Sequence, residues 1–446
     1  MIHIIHWKDV DVASRSRILR RAQASFAEIE SDVRFRIDEI RTEGDKGILG
    51  YIRQFDEKDG FIGKFNAEDF DQTKFRITDF DVENAYDTID RSLLLSIREQ
   101  VRLSRKFHQE YADNLPKSFE TEQLPGVVAG YKRVPVASAG LYVPAGKAPL
   151  PTVAQILTVA AKAAGVERCV VCFPPTTEIS ETAIIVAAHE AGADEIYRVG
   201  GIAAIAALAY GTETIAKVDV IAGPGNPWVQ AAKLMVSGQV GIDMVAGPSE
   251  AMIVADESAD PAYIAADILA QCEHGYDSAG VLVTTSLAIA EETLREIERQ
   301  VGSLDRGTYL EKSLSQYSAL IVVDSDSELL DLVNEYAPEH LEIHLVDPAG
   351  FMAHVRNAGS CFLGNDSPVA AGDYATGTNH TLPTGTATRY ASAVSPETFM
   401  KTIQYQRVTK DGLRALLPIV EAISDAEGLD AHKRSVQIRF ESGTQS

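Results

Sequence analysis

Glu339 and His340 stand side by side in the stretch NEYAPEHLEI, residues 334–343. A carboxylate and an imidazole are the usual groups for moving protons at neutral pH. Adjacent residues normally point apart, to opposite faces of a strand or about 100° apart on a helix. The flanking pattern bears on whether these two can serve one site. Leu341, Ile343 and Leu345 alternate with Glu342 and His344, which predicts a strand from about 341. Pro338 breaks the preceding helical stretch SELLDLVNEY and biases Ala337 towards an extended backbone. The pair then falls in a connection bound by neither period, where both side chains can face one cleft. A zinc pair of His340 and His344 would need a helix, and the alternation argues against one.

Other polar residues are spaced for metal or phosphate chemistry, each with a plainer reading beside it. In AQCEHGYDSAG a helix is expected over about 260–272, stopping at Gly275, so Gln271 and His274 share a face near its end. They could be half of a metal site, although glutamine is a rare zinc ligand. The plainer reading is a histidine at the negative end of a helix. Asp373 and His380 lie in GDYATGTNH, within the Gly-, Thr- and Pro-rich stretch 364–390 that reads as a long ordered loop. Carboxylate plus imidazole suits Zn²⁺ or a similar ion, but local turn chemistry is the simpler account of such a pair. Glu427 and His432, in EGLDAHKRS, look like surface residues.

Three Gly-rich turns, at 140–151, 199–212 and 221–229, follow apparent strands and could offer backbone N–H groups to a phosphate. The standard G-x-G-x-x-G dinucleotide fingerprint is absent. Cys169 and Cys172 form a C-x-x-C within RCVVCFPP, but no second cysteine pair accompanies them, and they read as core thiols of a buried strand.

The elements that must position these groups follow from pattern and bulk composition. The chain has 446 residues, 45% hydrophobic, enough for two or three domains. A net charge of −23 repels phosphate backbones and argues against nucleic acid as a partner. No apolar run reaches membrane-spanning length, and the N-terminus lacks a secretory pattern, so a cytoplasmic address is expected. Residues 12–114 carry helical periodicity, with His108 expected at the surface or lining a pocket. From 136 short β-branched runs alternate with helical stretches, and the series restarts at AMIVADESADPAYIAADILAQ. The expected fold is α/β: two incomplete Rossmann-like parallel-sheet domains, at 136–245 and 246–390. A helical N-terminal region covers 1–135 and joins the second of them. A tail covers 391–446, mixing helix with a possible final strand, RSVQIRF, and is short enough to be expected on another subunit.

Taken in order and spacing, GLYVPAGKAPLP, VGGIAAIAALAYGT, AGPGNPWV, MVAGPSE, QCEHGYDS, YAPEHLEI, AGDYATGTNHTLPTG and EGLDAHKRSV resemble the histidinol dehydrogenase family over nearly the whole chain. The resemblance implies a homodimeric, zinc-dependent, NAD-linked enzyme that oxidises the primary alcohol L-histidinol to L-histidine, through an aldehyde, in two hydride transfers. It implies Gln271, His274, Asp373 and His432 as zinc and substrate ligands, with His432 coming from the partner subunit and the tail exchanged in the dimer. It implies Glu339 and His340 as the acid–base pair, Ser249, His340, His380 and Glu427 as substrate contacts, and Tyr142 and Asn226 as NAD contacts. The sequence departs from the family where Gly-Gly-Ala-Gln is usual: Gly200-Gly201-Ile202-Ala203 lacks the glutamine that helps to hold NAD. It also has VPAG, Val143–Gly146, for the usual VPGG. These changes favour considering a paralogue that oxidises another small polar alcohol, such as a dihydroxypropane sulfonate. A non-catalytic binding protein on the same scaffold would have lost an acid–base or metal residue, and none is lost.

Overall fold

The computed structural model describes residues 2–22, 26–56, 61–62, 65–66, 69–145, 150–304 and 307–441. The chain divides into two compact units, Met1–Ala112 with Val136–Phe399, and Asp113–Pro135 with Met400–Ser446. Of the turn Val143–Gly146, the last residue lies outside the described residues.

The larger unit begins with strand β1 (Ile4–His6), helices α1 (Val12–Arg20), α2 (Glu30–Glu43) and α3 (Asp45–Phe55), a short pair β2 (Phe61–Ile62) and β3 (Phe65–Asn66), and helices α4 (Asp79–Thr88) and α5 (Arg91–Asn114). The helical periodicity of 12–114 is thus realised. His108 is not at the surface: it is buried within α5, where its Nδ1 meets the Ser104 carbonyl at 2.9 Å. The helical period turned it inward, and the backbone oxygen one turn back meets its Nδ1, while its Nε2 has no hydrogen-bond partner.

The smaller unit contains strands β4 (Ser118–Leu124) and β5 (Val127–Pro135).

Two parallel sheets follow within the larger unit. The first has β6 (Ser138–Tyr142), β7 (Arg168–Cys172), β8 (Glu195–Tyr197), β9 (Val220–Ala222) and β10 (Gly241–Ile242) in the order β10-β9-β6-β7-β8. Its helices are α6 (Pro151–Ala164), α7 (Glu178–Ala191), α8 (Gly201–Tyr210) and α9 (Pro227–Val236). Helices α6 and α7 stop at Gly165 and Gly192, whose φ of 92° and 99° suits a residue without a Cβ.

The second sheet has β11 (Glu250–Ala255), β12 (Ala279–Thr284), β13 (Ala319–Val322), β14 (His340–His344) and β15 (Ser360–Leu363). Its order is β1-β13-β12-β11-β14-β15, with every pairing parallel. Helices α10 (Pro261–Cys272), α11 (Leu287–Val301), α12 (Gly307–Gln316), α13 (Asp326–Tyr336), α14 (Pro348–Met352) and α15 (Val369–Tyr374) accompany it. Strands covered on both faces read as continuous apolar runs, as AGVLVT and ALIV do here. One layer packs α10 and α11 against Ile253, Ala255 and Leu282. The other packs Leu329, Leu332 and Val333 of α13 against Leu341 and Ile343. Both strand orders reverse once, between β6 and β9 and between β11 and β14, as in doubly wound sheets.

The smaller unit is completed by β16 (Met400–Val408), antiparallel to β5, and by α16 (Lys410–Glu427) and α17 (Asp430–Glu441). RSVQIRF, expected as a strand, is part of α17. Its apolar alternation has no neighbouring strand to pair with, and local helical hydrogen bonds prevail. Lys433 meets Asp425 at 2.8 Å, and Gln437 meets Glu421 at 2.6 Å, tying α17 to α16. No described helix is long and apolar enough to cross a membrane.

Candidate active site

The strand expected from 341 begins one residue earlier, so His340 is the first residue of β14 and only Glu339 lies ahead of it. All five strand residues are buried. His340, Glu342 and His344 share one face, and Leu341 and Ile343 the other. Ala337 is not extended. It adopts the left-handed conformation, φ 54° and ψ 65°, and closes α13 with its N–H on the Val333 carbonyl. That costs a non-glycine residue about 1–2 kcal/mol. Tertiary contacts over-determine it: its carbonyl accepts from Arg21 at 3.2 Å and from the buried Thr388 hydroxyl at 3.0 Å. This sharp reversal brings Glu339 and His340 to the amino end of the second sheet.

Glu250, the first residue of the neighbouring β11, clamps the pair. Its N–H donates to Glu339 Oε2 at 2.8 Å, its Oε1 accepts from the Glu339 N–H at 3.3 Å, and its carbonyl meets His340 Nδ1 at 3.1 Å. A carbonyl can only accept, so His340 carries its proton on Nδ1 and presents a bare Nε2. Burial holds His340 neutral, with its pKa lowered to about 3. Nε2 is buried without a hydrogen-bond partner, and the Asp373 carboxylate lies 3.9 Å away. Burial pushes Glu339 well above the usual carboxylate range, and the Glu250 and Asp373 charges add to this. Glu339 Oε2 stands 3.6 Å from His340 Nδ1. Neighbours that should diverge therefore share one buried network.

The clamp is itself anchored. The Glu250 carboxylate forms a two-pronged ion pair with Arg21, both side chains almost fully buried. The guanidinium lies 3.7 Å over the Tyr336 ring and donates to the Tyr336 carbonyl at 2.9 Å. Sequence reading missed Glu250 and Arg21. An acid heading an otherwise apolar strand, in SEAMIVAD, was the available signal. Nothing local marked Arg21, whose guanidinium partners other than the Leu19 carbonyl lie more than 200 residues away.

Gln271 is the penultimate residue of α10, 2% exposed, and neither its amide oxygen nor its nitrogen has a hydrogen-bond partner. His274 follows the helix and is exposed. Its proximity is felt by His340 and by His380, which burial lowers to about 4 and whose Nε2 also lacks a partner. Asp373, expected in a loop, sits on the short helix α15, and burial raises its carboxyl to about 7. Ser249 precedes β11 and is half-buried. Glu427 ends α16 and His432 lies on α17, both exposed in the smaller unit.

The described residues hold one group of three acidic or imidazole side chains with ligand atoms within 4.8 Å of one another, and it is a different one: Asp267, Glu342 and His344.

On the first sheet, Tyr142 ends β6 and is buried, its hydroxyl receiving the Gly201 N–H at 3.3 Å. The Tyr51 hydroxyl receives the next N–H, from Ile202, at 3.3 Å. Two free donors of the α8 N-terminus are thus satisfied internally. Ala203 is fully buried. Asn226 caps α9, accepting from the Val229 N–H at 3.1 Å, and is exposed. The turn before it is braced by the fully buried Lys233, which meets Asp243 at 2.5 Å and the Gly223 carbonyl at 2.8 Å.

A family model described as histidinol dehydrogenase matches residues 19–440. The chain is 44% identical over 414 residues to "Histidinol dehydrogenase" of Synechococcus sp., covering 93% of this chain and 92% of that one. It is 41% identical over 420 residues to the protein of the same name from Carboxydothermus hydrogenoformans, covering 94% and 96%. The crystal structure of histidinol dehydrogenase from Elizabethkingia anophelis superposes with a TM-score of 0.88 at 35% identity, covering 100% of this chain and 99% of that one.

Proposed function

Because the chain belongs to the histidinol dehydrogenase family, we propose that it oxidises L-histidinol to L-histidine through the aldehyde, with NAD⁺ and zinc, as the last step of histidine formation. The observation that carries this reading is the clamped pair: a neutral, buried His340 with a bare Nε2, beside a Glu339 locked to the same backbone.

The residues fit a divalent cation. The amide of Gln271 is buried and unsatisfied, and Asp373 is a half-buried carboxylate held above its ordinary range. Gln271, His274 and Asp373 would hold the ion. The fourth ligand would be His432, exposed in a single chain as supply from a second copy requires. That arrangement implies a homodimer. When bound, zinc would orient the substrate amine and hydroxyl, and NAD⁺ would accept the two hydrides.

His340 Nε2 would take the alcohol proton as the first hydride leaves, its Nδ1–H kept on the Glu250 carbonyl throughout. The aldehyde must then be hydrated before a second hydride can leave. Glu339 would activate that water through the oxygen not engaged by the Glu250 N–H. Two proton transfers to different atoms explain two adjacent groups. Ser249, His380 and Glu427 would contact the substrate. For the cofactor, Asn226 and the braced turn before α9 offer an exposed surface, while Tyr142 would act from below through the α8 terminus. Ala203 offers no polar group where the family's glutamine stands.

A substrate panel tests the proposal. Purified protein with NAD⁺ and zinc should form about two equivalents of NADH per L-histidinol consumed. One equivalent would limit the chain to a simple alcohol oxidation, and preference for a sulfonated or phosphorylated diol would reassign the substrate.

A further inference from the structure

Away from the pair, the same face of β14 carries a second polar group that the proposed chemistry does not use. Glu342 and His344 follow His340 at the two-residue strand period, and Asp267 reaches them from α10. In an α/β layer this face should be apolar, as Ile253 and Ala255 are on the adjoining β11. Instead Glu342 is fully buried and His344 is 1% exposed. His344 Nε2 lies 3.2 Å from Glu342 Oε2, yet neither ring nitrogen of His344 has a hydrogen-bond partner.

Two carboxylates cannot remain charged and unaccompanied there, since burying an unpaired charge costs several kcal/mol. Among the described residues no lysine or arginine acts on either carboxyl; the groups that do are one another, His344 and the Val369 backbone. Burial raises Asp267 to about 8, with the Glu342 charge adding to it, and raises Glu342 to about 7. The deficit can be met by protons or by a cation. A proton shared between the carboxyls would still leave both imidazole nitrogens without a partner. An ion among the three would take one imidazole nitrogen and an oxygen of each carboxyl, atoms that already lie within 4.8 Å of one another.

We propose that Asp267, Glu342 and His344 form a second, structural site for a divalent transition-metal ion. One imidazole and two carboxylates form an N,O donor set suited to Zn²⁺, Mn²⁺ or Fe²⁺. The site is separate from the proposed zinc site. His344 stands four residues, or about 13 Å, along the strand from His340, and Asp267 lies one helical turn, about 6 Å of rise, before Gln271. Its role follows from its connections. It ties α10, whose end carries Gln271, to β14, whose start carries His340, and so sets the spacing between the two.

Metal analysis of the folded full-length chain tests this, with Mn²⁺ and Zn²⁺ as probes after chelation. The wild type should take up about two equivalents, and His274→Ala, which disables the other site, should keep about one. Adding Asp267→Asn or His344→Leu to His274→Ala should remove that ion. Because loss of a buried ligand can unfold the chain, Mn²⁺-loaded His274→Ala protein gives an independent reading: pulsed electron paramagnetic resonance should show one directly bound imidazole nitrogen. Uptake of no ion by His274→Ala, with a protonated-carboxyl infrared band that Asp267→Asn removes, would overturn the site in favour of a shared proton. One equivalent indifferent to both substitutions, or a spectrum without imidazole coupling, would overturn it as well.

Discussion

Strands β7 and β14 each stand second from an edge of their sheet, each five residues long and almost wholly buried. RCVVC and HLEIH both put nucleophilic or titratable side chains in the interior, but with opposite consequences. The two cysteines of β7 are three residues apart, so they face opposite sides of the sheet. Cys172 joins the core packed beneath α8, and Cys169 does not. Burial above all, with the Asp194 and Glu195 charges adding to it, lifts Cys169 to about 12 and Cys172 further, and thiols held protonated are inert. In β14 the spacing is two, so His340, Glu342 and His344 line one face. There the first of them meets a carbonyl that sets its tautomer. Burial lends chemistry only where side chains share a face and a neighbouring strand supplies a directed partner.

That contrast can be broken from its strong end. His340→Ala should reduce alcohol oxidation by about 10²–10⁴-fold, the usual contribution of a positioned general base, with circular dichroism showing an intact fold. A loss below tenfold would remove His340 from the proton path. Next comes the partner that β7 lacks. Glu250→Gln strands the Arg21 guanidinium in the interior and should cost about 3–5 kcal/mol by denaturant unfolding. It should also lower activity at temperatures where the chain remains folded. Unchanged stability would mean that the ion pair is not the anchor of the pair. The smallest effect is expected at β7: Cys169→Ala with Cys172→Ala should leave turnover within about twofold and cost roughly 1 kcal/mol per site. Loss of activity without loss of fold would give the cysteines a role that their geometry denies.

Much of this was legible in the residues. The restart of the βα series at 251 marked the second sheet, and the strand with two buried cysteines was read as core. The local conformation around the pair was harder. Proline statistics predicted an extended Ala337, but Arg21 and Thr388 hold its carbonyl and select the left-handed form. Alternation in LEIHLV suggested an apolar face and a polar face, whereas the polar one is buried beneath α10. In RSVQIRF the same alternation was misleading, because a strand exists only where another strand pairs with it.

The sequence by itself determined the alternation of strands and helices, the apolar strands that demand cover on both faces, and the acid, imidazole and amide types available for chemistry. Those properties are local, carried by period and composition. Only the tertiary structure decided that Glu250 meets Glu339 across 89 positions, that Arg21 anchors Glu250 across 229, and that Asp267 joins Glu342 and His344. Such contacts leave no period in the chain, since they arise from which strands become neighbours when the sheet closes.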